Sequence, residues 1–142
     1  MSHWLYPANT KYYDVFEAFK QSDIYWPMNS KVEVDDLIYF YLALPYKQIA
    51  FVVKIVEVGI LYDTIAKYVD GYVTSQPETA DKKPVKLFMR LKLLKNIEID
   101  KNSTLALSEL KEHGLNGMLM GSRKLQNNPE LLSYIQESHN DL

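Results

Sequence analysis

The chain has 142 residues, of which 47% are hydrophobic and 24% charged, with a formal net charge of −2. This length and composition predict one packed globular domain over residues 1–142. It contains no cysteine, which excludes disulfides, a thiolate nucleophile and a thiolate zinc site, and favours a reducing, cytoplasmic environment. The acidic balance argues against a protein that follows long stretches of duplex phosphate, since those contacts need basic surface.

Two further features bear on location. The N-terminal sequence has no basic region followed by an apolar run, so no secretory signal is expected. No segment approaches the roughly 18 consecutive apolar residues that a membrane span needs. We therefore expect a cytoplasmic protein with no membrane partner.

The first part of the chain predicts a strand, a helix and a loop. Residues 3–7 read as a short strand closed by its proline. Asn9 and Thr10 are good helix caps, and apolar positions at helical spacing predict an amphipathic helix over about 11–20. The segment that follows is broken by a proline and predicts a connecting loop that carries Trp26.

The middle of the chain has a β pattern. Residues 37–44 and 49–59 are dense in β-branched and aromatic residues and predict a hairpin of well-buried strands. Residues 60–84 predict a long loop with one helical turn. Residues 85–98 alternate between apolar and charged side chains, which predicts a long half-buried strand. The charged positions of one parity on that strand are Lys86, Arg90 and Lys92.

The C-terminal part predicts two helices and one strand. Thr104 and Ser108 are rival N-caps for a short helix that ends at Gly114. A strand is expected to enter through Gly117. Residues 128–130 read Asn-Pro-Glu, which is a cap, a proline at the first helical position and an acid in the first turn. About five strands and three helices in non-alternating order predict an α+β fold around a strongly bent sheet or barrel.

Catalytic signatures are missing from the sequence. The three histidines are scattered and have no metal-ligand spacing, and the glycines match neither a phosphate-binding loop nor a dinucleotide motif. Glu33, Asp35 and Asp36 form a small acidic group that would do acid–base work only if burial separated their pKa values. A turn before the strand at 37 explains them more simply. We therefore expect no enzyme, no metal and no cofactor.

Aromatic residues carry the main functional signal. They make up 13% of the chain, eleven of them tyrosines, and they crowd the first third. Most are explained as core residues or cross-strand pairs. Trp26 is the exception, because a tryptophan in the predicted loop has no strand packing to explain it.

The order of these segments resembles EVE domains of the PUA-like superfamily. The matching elements are a Trp-led first strand (HWLY), a short helix, a loop tryptophan and the segment KVEVDDLIYFY. The stretch GLNGMLMGSRKLQNNPELLSYI is similar to the closing element of EVE-like proteins. Asp36 takes the family's Asp position, whereas Asp35 stands where the family usually has glycine, which puts the turn geometry in doubt.

The resemblance implies a small, strongly curved mixed β-barrel of about five to six strands flanked by about three helices. It further implies a non-catalytic pocket for a flipped-out modified base, such as a methylated base, of DNA or RNA. On the matching positions Trp4, Trp26 and Tyr41 would form the pocket and Asn9 would read the base edge. The cations that would hold flanking phosphates, or else form ordinary solvated surface, are Lys86, Arg90, Lys92, Arg123 and Lys124.

Two other functions remain open. A small molecule or nucleotide in the same barrel pocket is one, and the acidic charge favours it slightly. The other is a protein-interaction adaptor that binds through exposed tyrosines at 62, 68 and 72. The sequence leaves the oligomeric state open.

Overall fold

The computed structural model describes residues 1–11, 13–28, 31–72, 87–100, 102–117, 119 and 121–140. Six strands and four helices lie within this part of the chain. The strands are β1 (His3–Ala8), β2 (Ile24–Pro27), β3 (Leu37–Leu42), β4 (Gln48–Leu61), β5 (Leu87–Asn96) and β6 (Arg123–Lys124). The helices are α1 (Val15–Ala18), α2 (Tyr62–Val69), α3 (Leu107–Glu112) and α4 (Pro129–Asn140), with 3-10 turns at Asp70–Tyr72 and Leu125–Asn127.

The strands form one mixed sheet in the order β2-β5-β4-β3-β1-β6. Strands β1 and β3 pair in parallel, whereas the other neighbours are antiparallel. The predicted α+β fold and the single sheet through the three central strands are therefore confirmed. Register shifts interrupt the β4–β5 ladder at three places, and such bulges bend a strand and increase its twist. Within the described residues β2 and β6 do not pair with each other, so the sheet is open where a closed barrel was one expectation.

Both faces of the sheet are covered, which is why β3 is a continuous apolar run. Side-chain alternation along β3 sends Ile38, Phe40 and Leu42 to one face and Tyr39 and Tyr41 to the other. We call these the first face and the second face. Helix α1 packs on the first face, and helices α3 and α4 pack on the second.

The first helix is shorter than predicted. It begins at Val15, and its cap is Asp14, whose Oδ1 accepts the backbone N–H of Glu17 at 3.2 Å. Asn9 instead accepts the backbone N–H of Lys11 at 2.9 Å in a local turn. A competing side-chain-to-backbone hydrogen bond of this kind delays the start of a helix.

Trp26 does not lie in a loop, which corrects the sequence prediction. It belongs to edge strand β2, where it is registered with Met89 of β5. The proline that ends this strand made the segment resemble a loop in the sequence. An edge strand tolerates proline, whereas a central strand does not.

Other boundaries also differ. Helix α2 has eight residues where one helical turn was expected, and 73–86 lies outside the described residues. Helix α3 begins after Ala106 with no side-chain cap, so neither Thr104 nor Ser108 caps it. Beyond Gly117, the described residues contain a strand of two residues, Arg123–Lys124, and residues 118 and 120 of the predicted strand lie outside the described part of the chain.

The start of the last helix is confirmed. Helix α4 begins at Pro129, and Asn128 Oδ1 accepts the backbone N–H of Leu131 at 3.3 Å. Leu131 and Ile135 are buried in the second face, and Leu132 packs against it partly buried. None of the helices described is long and apolar enough to cross a membrane.

Candidate aromatic binding site

Half-buried aromatic rings gather at the boundary of the first face. Each packs against the buried core of this face but keeps part of its surface accessible to solvent. They come from five separate places: the residues before α1, α1 itself, β2, the β3–β4 turn and the 3-10 turn after α2. We call this group the aromatic rim: Tyr13, Phe16, Trp26, Tyr46 and Tyr72.

Trp26 is held by three neighbouring rings. Its ring centroid lies 5.5 Å from that of Tyr13, 5.9 Å from Phe19 and 5.0 Å from Phe40. The first two contacts are nearly perpendicular, at 88° and 87°, which is a favoured arrangement for aromatic pairs. The indole is therefore fixed in orientation and only partly covered.

Tyr13 links Trp26 to the 3-10 turn. Its ring lies 6.0 Å from that of Tyr72, and the backbone N–H of Asp14 donates to Tyr72 O at 2.6 Å. Burial, with smaller contributions from the nearby Tyr72 and Asp70, raises the pKa of Tyr13 to about 12. The Tyr13 hydroxyl therefore stays protonated at neutral pH and can donate a hydrogen bond.

A second arm of the rim lies on the turn between β3 and β4. Phe16 contacts Tyr46 at 5.2 Å and buried Phe51 at 6.0 Å between ring centroids. The turn is closed by the Tyr46 N–H, which donates to Ala43 O at 3.1 Å. It contains a cis peptide bond before Pro45.

The predicted pocket residues do not come together. Trp26 belongs to the rim, but Trp4 on the same face is only 2% exposed, so a ligand does not reach its ring in this structure. Tyr41 is 7% exposed and packs in the second face, with the sheet between it and Trp26. Asn9 is exposed in the turn before α1. Their roles in binding stay predictions, but the structure does not place the four residues around one cavity.

Asp36 has a structural explanation. Its carboxylate is 2% exposed and accepts three hydrogen bonds. Oδ1 accepts Ser2 N at 2.8 Å, while Oδ2 accepts Trp4 Nε1 at 3.0 Å and Glu33 N at 3.0 Å. The neighbouring Asp35 has φ 76°, the left-handed region that favours glycine, in agreement with the glycine that the resemblance expects there.

The predicted phosphate contacts are also dispersed. Arg90 is bound by Asp23 at 3.3 Å and by Glu57 at 3.1 Å, and Lys92 is exposed on the same strand. Arg123 Nη1 donates to Asn116 O at 2.7 Å, and the exposed Lys124 follows it on β6. Strands β5 and β6 lie toward opposite edges of the sheet, so these cations do not form one surface. Lys86 lies outside the described residues.

Sequence reasoning missed most of the rim. Tyr13, Phe16 and Tyr46 lie in the aromatic-rich first third of the chain, but none was placed in the site. Tyr72 was assigned to the exposed tyrosine surface of the adaptor alternative. The surplus of tyrosine was the signal that pointed to them. Within the described part of the chain, no three His, Asp or Glu side chains are grouped so that they would hold a metal ion.

An open mixed sheet with helices on both faces defines an α+β domain. Solved structures of similar fold include an ASCH protein from Zymomonas mobilis, with 13% identity and a TM-score of 0.63 over 96% of this chain and 94% of that one. A hypothetical protein from Leishmania major has 16% identity and a TM-score of 0.63 over 99% and 96% of the two chains. A protein from Pseudomonas syringae has 18% identity and a TM-score of 0.60 over 96% and 98%.

The chain therefore has the fold of ASCH domains, which belong to the PUA-like superfamily. No family model matches the sequence, and no curated protein matches it either. Sequence identities this low show the fold alone. The narrower resemblance to EVE domains stays a prediction.

Proposed function

We propose that this chain is a non-catalytic nucleic-acid-binding module of the EVE type that holds one modified base of DNA or RNA against the aromatic rim. The observation that carries the proposal is the rim itself. Five half-buried rings from separate segments of the chain pack against the core of one face of the sheet.

The chemistry of the rim suits a base. A base removed from its stack needs an aromatic face and a few polar groups for its edge. Trp26 offers a fixed, partly exposed indole, and stacking on such a ring contributes roughly 1–3 kcal/mol. The protonated hydroxyl of Tyr13 is placed beside it as a donor.

The charge distribution favours binding of a single base over binding along a nucleic-acid strand. The chain is acidic overall, and Arg90 is already paired with two carboxylates. A protein that follows many phosphates needs cations that are available to them. The same charges favour a second candidate, a free nucleotide or other small aromatic metabolite bound at the rim.

Binding to short oligonucleotides tests the proposal. Fluorescence anisotropy with matched modified and unmodified DNA and RNA oligomers should show preference for a modified base, and Trp26→Ala should weaken that binding. Tyr68→Ala is the matched control, because it truncates an exposed tyrosine of α2 that is outside the rim.

Three outcomes would contradict the proposal. A free nucleotide that binds as tightly as the oligomer would support the small-molecule alternative. Loss of binding through Tyr68→Ala and not Trp26→Ala would move the site to the tyrosine surface of the adaptor hypothesis. Turnover of any oligomer, with or without divalent metal, would refute the expectation that the module is non-catalytic.

A further inference from the structure

A carboxylate lies next to the polar end of the rim. Asp70 begins the 3-10 turn that carries Tyr72, and its Oδ1 accepts a short hydrogen bond from the Tyr62 hydroxyl. A carboxylate has about four acceptor positions, and this bond uses one of them. Asp70 is exposed, so its negative charge reaches the solvent beside the rings.

The electrostatic environment of Tyr13 shows that this charge is felt at the rim. The pKa of Tyr13 is raised by burial first, and then by Tyr72 and by Asp70. Of these two neighbours, only Asp70 is a carboxylate. Its negative charge lies beside the 3-10 turn that carries Tyr72.

Three rings of the rim are inclined to one another. Tyr13 stands at 88° to Trp26 and at 58° to Tyr72. The face of an aromatic ring carries negative charge density, so several inclined rings attract a cation more strongly than one ring does. A base without charge gains only the stacking part of this interaction.

We propose that the rim formed by Tyr13, Trp26 and Tyr72 with Asp70 prefers a base that carries a positive charge, as N1-methyladenine or N3-methylcytosine does. This inference rests on the proposed function and adds the chemical class of its ligand. Methylation of a ring nitrogen such as N1 of adenine leaves the base cationic at neutral pH. Methylation of the exocyclic nitrogen of the same base leaves it neutral.

These two bases give a sharp test, because they have the same heavy atoms, but the N1-methyl base carries one more proton and a positive charge at neutral pH. The full chain is titrated with short RNA oligomers that contain one N1-methyladenine, one N6-methyladenine or one unmodified adenine. Cation–π attraction predicts about 3- to 30-fold tighter binding of the N1-methyl oligomer than of the N6-methyl oligomer. Asp70→Asn should reduce this preference about threefold, as expected for one charge at the solvent boundary. Asp63→Asn is the control, because it removes an exposed carboxylate of the same helix region that does not influence Tyr13.

The possible outcomes distinguish the charge preference, the role of Asp70 and base recognition itself. Equal binding of the two methylated bases overturns the charge preference and leaves base recognition intact. A preference that Asp63→Asn reduces as much as Asp70→Asn does overturns the assignment to Asp70. If no oligomer binds but a trimethyl-lysine peptide does, the ligand is a protein cation, and the proposed function fails together with this inference.

Discussion

Replacing Asp36 with asparagine tests whether its buried carboxylate is a structural tie. Its two oxygens have different tasks, since Oδ1 accepts Ser2 N whereas Oδ2 accepts both Trp4 Nε1 and Glu33 N. An asparagine that keeps its oxygen at the Oδ2 position places an NH2 group against the N–H of Ser2. One hydrogen bond is lost, and the other two change from a charged acceptor to a neutral one.

The size of the effect follows from these bonds. A hydrogen bond to a charged group contributes about 1.5–3 kcal/mol, and a buried donor left without a partner costs about 1–3 kcal/mol. We expect Asp36→Asn to lower the free energy of unfolding by about 2–4 kcal/mol. Asp36→Ala removes all three bonds and should cost about 4–5 kcal/mol, which is near the upper end for one substitution.

Urea unfolding followed by tryptophan fluorescence measures both variants. Asp35→Asn is the matched control. The side chain of Asp35 is 65% exposed, and its only ion pair in the described structure is with Lys54 at 3.2 Å. The substitution should therefore change the free energy of unfolding by less than about 0.5 kcal/mol. A double-mutant cycle of Asp36→Asn with Trp4→Phe should show a coupling energy, since the two side chains share one bond. Equal stabilities of the Asp35 and Asp36 variants would refute this reasoning. An Asp36 variant that is stable but does not bind would make the carboxylate a functional group.

Three further perturbations follow from the structure. Trp26→Ala should weaken oligonucleotide binding about 5- to 150-fold and lower the free energy of unfolding by about 2–3 kcal/mol, below the 3–5 kcal/mol of a fully buried tryptophan. Trp26→Phe keeps a ring in place and should retain most of the stability. An unchanged affinity of the alanine variant would exclude the rim as the binding site. Asp35→Gly should be more stable than Asp35→Ala by about 1 kcal/mol in chemical denaturation, because both lose the Lys54 ion pair but only alanine is strained at φ 76°. The reverse order of stabilities would contradict the left-handed conformation of residue 35. Burial lowers the pKa of His3 from 6.5, and Asp36 opposes this shift. The unfolded chain therefore binds the proton at a higher pH than the folded chain does. The stability contributed by neutral His3 is present above pH 6.5 and is lost as pH falls through the lower folded-state pKa. The destabilisation caused by His3→Gln should therefore be smaller at pH 5 than at pH 7 in matched urea titrations, and a difference that grows on acidification would show that protonated His3 is favoured by the fold.

The parts of the fold that were predictable depend on local chemistry. The hairpin of β3 and β4 follows from two runs of β-branched and aromatic residues with a short turn between them. The start of α4 follows from a cap and a proline that are adjacent in sequence. In β5, the burial of Met89 and Leu91 agrees with the predicted alternation. At the start of the strand Leu87 is exposed instead, and Phe88 is buried against Ile65 and Val69 of α2.

The candidate site was harder to predict, because it depends on pairing between distant segments. The sequence places Trp26 next to a proline but does not show that β5 supplies a partner strand for it. Likewise Trp4 and Tyr41 both look available for stacking, and only the parallel pairing of β1 with β3 shows where they lie. That pairing buries the Trp4 indole against Asp36, and the alternation of β3 sends Tyr41 to the face opposite Trp26.

The length of α1 explains both why the rim is aromatic and why it is accessible. Helix α4 has twelve residues, about 18 Å at 1.5 Å per residue, and closes the second face with aliphatic side chains. Helix α1 has four residues, about 6 Å, and cannot cover the first face in the same way. Large rings from β2, the β3–β4 turn and the 3-10 turn fill the remaining area. Each of these rings packs against the core of the first face and keeps part of its surface accessible to solvent.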